Sequence, residues 1–153
     1  MEQEQVRMKP HHFLDILRSF GVGKLKYEPS PKGDAQYIVA DKLLKNRDIM
    51  LKFTAGCDDI CAPCSYNKKG KCANKVSNHG HYTSMHEYNR DLDTGIYRWL
   101  GLKEGAQMTA SAYCRLVREK INDIKNIWIE VPEEENAVRR QNLLKGITFY
   151  LGE

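Results

Sequence analysis

Four of the five cysteines in this chain lie within one stretch of sixteen residues. They form a C-x3-C-x2-C-x7-C pattern made of Cys57, Cys61, Cys64 and Cys72. Thiolates concentrated in this way suit soft metals, namely zinc, Cu(I), mononuclear iron or an iron–sulfur cluster. Pro63 restricts the backbone of the turn between two of the cysteines, and Gly70 gives the backbone the freedom to turn back toward the last one. We therefore predict that residues 55–75 form a metal-binding loop with these four cysteines as ligands.

Three other interpretations of the cysteines compete with a metal site. Disulfide bonds are not expected, because the polar start Met1–Arg7 contains no apolar signal segment and indicates the reducing cytoplasm. Buried core cysteines fit poorly in a loop that also carries Asp58 and Asp59. A catalytic thiol with a resolving partner stays open, because only two residues separate Cys61 from Cys64.

The spacing of the cysteines leaves the identity of the metal open. Structural zinc sites often use two separated short pairs, whereas three close thiols with a fourth further on resemble iron–sulfur spacing at least as well. The run C-x3-C-x2-C also occurs in radical S-adenosylmethionine enzymes, but those need repeated strand–helix units for which 153 residues leave no room. An iron–sulfur cluster and zinc are therefore both candidates.

A second set of candidate ligands lies near the N-terminus. His11 and His12 open a predicted helix, and Asp15 follows His11 by four residues, so both lie on the same helical face. These residues could bind the metal directly or hydrogen-bond to its ligands. The alternative is a solvated helix start with a local contact between His11 and Asp15. A further group of histidines is interpreted as part of a polar loop, namely His79, His81 and His86.

Composition indicates an ordinary globular protein. With 153 residues, of which 41% are hydrophobic, the chain is expected to form one soluble domain, residues 1–153, with a real core. No apolar run approaches the length of a membrane-spanning helix, so no membrane contact is expected. The formal net charge of +4 is too small to indicate nucleic acid as a partner. A protein partner and the oligomeric state stay open.

Hydrophobic periodicity predicts a helix-rich α+β fold with a small two- or three-stranded sheet. Helices are predicted at residues 11–20, 35–44, 91–100, 109–121 and 134–151. Strands are predicted at residues 6–9, 48–54 and 127–131. Cys114 shares an apolar helix face with Val117 and Ile121, so it is expected to be a core cysteine rather than a ligand.

Three motifs occur in order along the chain: Met8-Lys-Pro-His-His-Phe-Leu, Gly56-Cys-Asp-Asp-Ile-Cys-Ala-Pro-Cys and Leu100-Gly-Leu-Lys-Glu-Gly. Together they resemble the bacterial and archaeal proteins grouped as domain of unknown function 1284, over roughly residues 6–120. The resemblance implies an iron–sulfur-binding protein with no established activity. The residues of this chain that match the family's motif positions are His11, His12, Cys61, Cys64 and Cys72.

The chain departs from the family pattern at one position. Asp15 stands where the family has a cysteine after its two histidines. The resemblance therefore leaves the fourth ligand open between Asp15 and Cys57. We prefer Cys57, because an all-thiolate set within one loop needs no long-range placement.

Three classes of function fit these residues. The first is a metal- or cluster-binding protein whose site is structural, redox-active or sensory. The second is a zinc-stabilised module whose loop binds nucleic acid or an acidic protein. Its lysines would contact phosphate or the acidic partner, and its tyrosines would be available for stacking, namely Lys68, Lys69, Lys71, Lys75, Tyr66 and Tyr82. The third is an enzyme, either a thiol oxidoreductase or a metal-dependent hydrolase that uses His11, His12 and Asp15. No nucleotide loop or Ser-His-Asp set is present, so the first class is preferred and enzymatic activity stays open.

Overall fold

The structure is a computed structural model of the chain, and it describes residues 5–29, 31, 33–54, 57–65, 67–68, 71–72, 84–122 and 132–152. At residues 71–72 it describes the backbone alone. The helices are α1 Pro10–Gly21, α2 Gln36–Lys45, α3 Met85–Leu100, α4 Ala110–Glu119 and α5 Glu133–Leu151. The strands are β1 Gln5–Met8, β2 Met50–Phe53, β3 Asn67–Lys68, β4 Lys71–Cys72 and β5 Gln107–Thr109. The protein is therefore a helix-rich α+β protein, as the sequence predicts.

The three-stranded sheet has the order β1-β2-β5. β1 and β2 are parallel, with Val6 opposite Leu51 and Met8 opposite Phe53, whereas β5 is antiparallel to β2. These four side chains are buried and the residues between them are exposed, which is the alternation of a sheet covered on one face. Because β1 and β2 are parallel, both strands end at the same edge of the sheet. The start of α1 therefore lies beside the cysteine segment that follows β2.

Helices α1 and α5 cross in backbone contact through two glycines. A Cβ atom on Gly146 would lie 1.7 Å from the carbonyl oxygen of Leu17. One on Gly21 would lie 1.9 Å from the carbonyl oxygen of Asn142. Neither position can accept a larger residue without moving a backbone, so this crossing determines how closely α1 packs on the C-terminal helix.

Two buried tyrosines connect the helices across the core. The Tyr113 hydroxyl donates to the carbonyl oxygen of Pro10 at 3.2 Å, and its ring stacks on Phe13 with centroids 5.5 Å apart. The Tyr150 hydroxyl donates to the carbonyl oxygen of Leu43 at 2.8 Å. Each hydroxyl thus satisfies a buried backbone carbonyl, and together they join α4 to the start of α1 and α5 to α2.

Most of the predicted elements are confirmed to within two residues, but α3 is longer than expected. It begins at Met85, six residues before the predicted start, because the Ser84 hydroxyl caps it by accepting from the Glu87 backbone N–H at 3.2 Å. The polar residues of its first turns conceal the helical pattern. The prediction of a polar loop around His86 was therefore wrong, since this residue lies in α3.

The third strand of the sheet was not predicted. It is β5, which has three residues, and it pairs with β2. The hairpin of β3 and β4, which pairs Asn67 with Cys72, was also missed, because strands of two or three residues carry no measurable periodicity. The predicted strand at 127–131, like His79 and His81, lies outside the described residues. Among the described helices, none has the length and apolar character needed to cross a membrane.

Candidate metal centre

A single buried carboxylate, Asp58, connects the cysteine segment to the start of α1. Its Oδ2 accepts from the Lys9 backbone N–H at 2.7 Å and lies 2.6 Å from His12 Nδ1. Its Oδ1 accepts from the backbone N–H groups of Ile60 and Cys61, both at 3.1 Å. Asp58 is completely buried, so these four contacts replace its solvent shell.

The charge of Asp58 is stabilised despite its burial. Burial alone would raise the pKa of this carboxyl, but the charge and hydrogen bond of His12 and the backbone N–H groups of Lys9 and Cys61 lower it well below its ordinary value. An ionised carboxylate can only accept hydrogen bonds, so His12 Nδ1 must carry the proton between them. In the neutral imidazole the other ring nitrogen, Nε2, carries no proton and is the one available to a metal.

The sulfur atoms of Cys57 and Cys61 are in contact, 3.2 Å apart, and both thiols are free. This separation is longer than a disulfide bond of ~2.05 Å. It is somewhat shorter than the ~3.8 Å between two thiolates on one tetrahedral zinc, given Zn–S bonds of ~2.3 Å. The Asp58 backbone N–H also donates to Cys61 Sγ at 3.1 Å. The two sulfurs are thus held together by the turn that Asp58 organises.

The electrostatics of Cys61 differ from those of an activated nucleophile. Burial and the neighbouring Asp58 carboxylate raise the pKa of the Cys61 thiol well above its ordinary value. Reactive cysteines have a lowered pKa and lie near positive groups.

The remaining predicted thiol ligands are only partly described. Cys64 is half-buried, and its backbone N–H donates to the carbonyl oxygen of Cys61 at 3.0 Å. Cys72 is placed by its backbone in β4, and its side chain lies outside the described atoms. Within the described residues, no group of three or more His, Cys, Asp or Glu side chains is arranged to hold a metal ion. The Cys57–Cys61 pair is thus the part of the predicted thiolate set that the structure brings together.

His11 forms a second buried pair beside the first. Its Nδ1 lies 2.8 Å from Asp93 Oδ1, which also accepts from the His11 backbone N–H at 3.0 Å. Burial lowers the pKa of His11, but the charge and hydrogen bond of Asp93 more than offset it, so the net shift is upward. The rings of His11 and His12 lie 4.4 Å apart between centroids. His12 is the more accessible of the two, with 21% of its side chain exposed against 7% for His11.

Asp15 is directed to a different partner. Its carboxylate pairs with the Arg18 guanidinium at 3.1 Å, and 39% of its side chain is exposed. The charge of Asp15 does contribute to the raised pKa of His11, which agrees with the predicted four-residue spacing on one face. Cys114, by contrast, is completely buried, as predicted for a core cysteine.

Two of the residues that organise this site were not singled out from the sequence. From the sequence, Asp58 is only a charged loop residue that forms part of a family motif, and Asp93 is only one residue of a predicted helix. A signal for Asp93 exists, because it falls on the buried face of α3 between Leu92 and Ile96. A carboxylate in such a position requires a buried partner. That partner is His11, which lies 82 residues away in the sequence, so the sequence pattern does not identify it.

Comparison with known proteins identifies the family. The sequence profile of a family described as protein of unknown function (DUF1284) matches residues 34–129, which is more than half of the chain. The match includes the cysteine segment and α3, and it begins after the histidine motif of α1. No curated protein and no solved structure matches the chain significantly. Because the profile covers the larger part of the sequence, this chain belongs to the DUF1284 family.

Proposed function

We propose that the protein binds an iron–sulfur cluster, with zinc as the alternative, through Cys57, Cys61, Cys64 and Cys72. The bound group would have a structural, redox or sensory role. The observation that carries this proposal is the 3.2 Å contact between the Cys57 and Cys61 sulfur atoms. Two sulfurs held this close without a bond are positioned to share one metal centre.

The donor atoms of the site support a soft metal. Thiols and an imidazole surround Asp58, and such ligands select zinc, copper(I) or iron rather than magnesium or calcium. The N–H group that Asp58 donates to Cys61 Sγ is of the kind that stabilises a coordinated thiolate. When bound, a cluster would supply one-electron transfer, whereas zinc would supply a structural cross-link.

His12 supports the proposal as a contact outside the four thiolates, or as the fourth ligand in place of Cys57. Its Nδ1 is held by the Asp58 carboxylate, which is the arrangement found behind histidines that bind metals through Nε2. His11 is held in the same way by Asp93 but is more deeply buried. His12 is therefore the better candidate to complete or contact the thiolate site.

Anaerobic purification with a visible spectrum and analysis for iron, sulfide and zinc tests the proposal. A brown protein with broad absorption near ~400 nm and iron with sulfide would support the cluster. A colourless protein with stoichiometric zinc would support the alternative metal. We expect Cys64→Ala to lose the bound metal and Cys114→Ala to retain it.

The proposal would be overturned by protein that holds neither metal, even after reconstitution with iron and sulfide or with zinc. A disulfide between Cys57 and Cys61 in that protein, detected by peptide mass mapping, would instead favour a thiol oxidoreductase. The sulfur contact indicates that Cys61 would form such a bond with Cys57 rather than with Cys64, which is nearer to it in the sequence.

A further inference from the structure

Two buried polar atoms of α3 lack a partner in the part of the chain that the structure describes. Asp93 is completely buried, and while its Oδ1 accepts twice from His11, its Oδ2 accepts no hydrogen bond from any described residue. The Tyr97 hydroxyl is likewise buried and makes no hydrogen bond within the described part of the chain. Asp93 and Tyr97 are four residues apart on one helix, so their side chains lie on the same face.

Leaving both atoms unsatisfied would be costly. Buried polar groups in folded proteins are nearly all hydrogen-bonded, and each exception costs about 1–3 kcal/mol, more if the group is charged. The two groups are chemically complementary, because the carboxylate oxygen accepts and the phenol donates. Residues four apart on a helix have Cβ atoms about 5–6 Å apart, so one small molecule can bridge the two side chains. Burial, and after it the charge of Asp93, raises the pKa of Tyr97. A raised pKa keeps the phenol protonated and therefore able to donate.

We infer that one water molecule is bound in the interior between Asp93 Oδ2 and Tyr97 Oη. It would donate to the carboxylate oxygen and accept from the phenol, which satisfies both atoms at once. A chain of hydrogen bonds then runs from His11 through Asp93 and the water to Tyr97. This chain fixes the plane of the Asp93 carboxylate and, with it, the orientation of the His11 ring.

The inferred site can be tested without a bound metal. It rests on α1 and α3, and none of the four loop cysteines takes part in it. The Tyr113 hydroxyl, which lies in the same region and whose pKa the Asp93 charge also raises, already donates directly to Pro10 O. Tyr113 therefore provides a matched control for the removal of one phenol oxygen.

A crystal structure of the full chain at about 1.5 Å resolution or better tests the inference. We expect one water peak at hydrogen-bonding distance, about 2.6–3.2 Å, from both Asp93 Oδ2 and Tyr97 Oη. A direct hydrogen bond between the two side chains, or a dry space between them, would overturn it. The wild-type structure alone gives this answer.

Two variants then test which phenol holds the water. In Tyr97→Phe we expect the water peak to disappear or to move more than about 1 Å, because one of its two partners is gone. In Tyr113→Phe we expect it to stay in place. Retention of the water at its original position in Tyr97→Phe would contradict the inferred role of this hydroxyl. If Tyr97→Phe does not fold, the wild-type map still decides the inference.

Discussion

Asp58 Oδ2 lies 2.6 Å from His12 Nδ1, although 46 residues separate them in the chain. The same oxygen accepts from the Lys9 backbone N–H, so the carboxylate holds both the backbone and a side chain at the start of α1. The cysteine segment and α1 therefore form one structural unit. The family match covers the cysteine segment but not α1, and the contact with Asp58 is what joins them.

Replacing Asp58 with Asn should destabilise the protein by about 2–4 kcal/mol and weaken metal binding. The amide has only one accepting oxygen, so it cannot satisfy donors on both sides of the original carboxylate. It also removes the negative charge opposite His12. Urea unfolding of the two proteins measures the change in free energy, and metal analysis measures retention.

Asp59→Asn is the matched control for that change. Asp59 pairs with Arg7 at 3.3 Å, but both side chains are well exposed, at 38% and 56%. An exposed ion pair contributes less than about 1 kcal/mol. If Asp59→Asn were as damaging as Asp58→Asn, the Asp58 carboxylate would not be the organising group of the segment.

Removal of Cys57 should lower metal binding, whereas removal of Asp15 should not. The Cys57 sulfur lies against that of Cys61, while the Asp15 carboxylate is only partly buried and pairs with the Arg18 guanidinium. Metal content and the visible spectrum of Cys57→Ala and Asp15→Ala, purified anaerobically, distinguish the two candidates. Loss of metal in Asp15→Ala with retention in Cys57→Ala would reverse the assignment of the fourth ligand.

Gly146→Ala should destabilise the fold by about 3 kcal/mol or more. The added methyl group would fall 1.7 Å from the carbonyl oxygen of Leu17, so the backbones of α1 and α5 must separate. This effect exceeds the gain of about 1 kcal/mol from the better helix propensity of alanine. Thr148→Ala, at an exposed position of the same helix, should change stability by less than about 0.5 kcal/mol in thermal or urea unfolding. Equal stability of the two variants would contradict the close crossing.

Cys114→Ala should cost about 1–2 kcal/mol at pH 7 and progressively less above pH 9. Burial raises the pKa of the Cys114 thiol from 9.0 to about 12. Between these values the unfolded thiol ionises while the folded one stays protonated, so wild-type stability falls as the pH rises. The slope approaches about 1.4 kcal/mol per pH unit. Urea unfolding of both proteins from pH 7 to 11 measures the difference, and a constant difference would contradict the shifted pKa.

The helices and the two longer strands were predictable because each carries its own local pattern. In α1, Phe13, Leu14, Leu17 and Phe20 recur at helical spacing, and burial at these positions confirms that pattern. The beginning of α3 was not predictable from apolar spacing, because its first turns are polar and the Ser84 cap alone marks its start. β5 and the β3–β4 hairpin exist only through their pairing partners, so two or three residues of sequence could not reveal them.

The candidate site also has one part that the sequence predicts and another that only the fold determines. The cysteines lie close to one another in the chain, and so do His11 and His12. The sequence alone therefore identifies each group and the chemistry that its donor atoms allow. Their arrangement depends on the parallel pairing of β1 with β2, which brings the start of α1 beside the cysteine segment. Only that tertiary contact makes Asp58 the partner of His12 and Asp93 the partner of His11. A buried carboxylate needs hydrogen-bond donors, and the fold can supply them from residues that are far away in the sequence. The sequence alone therefore does not show which residues they are.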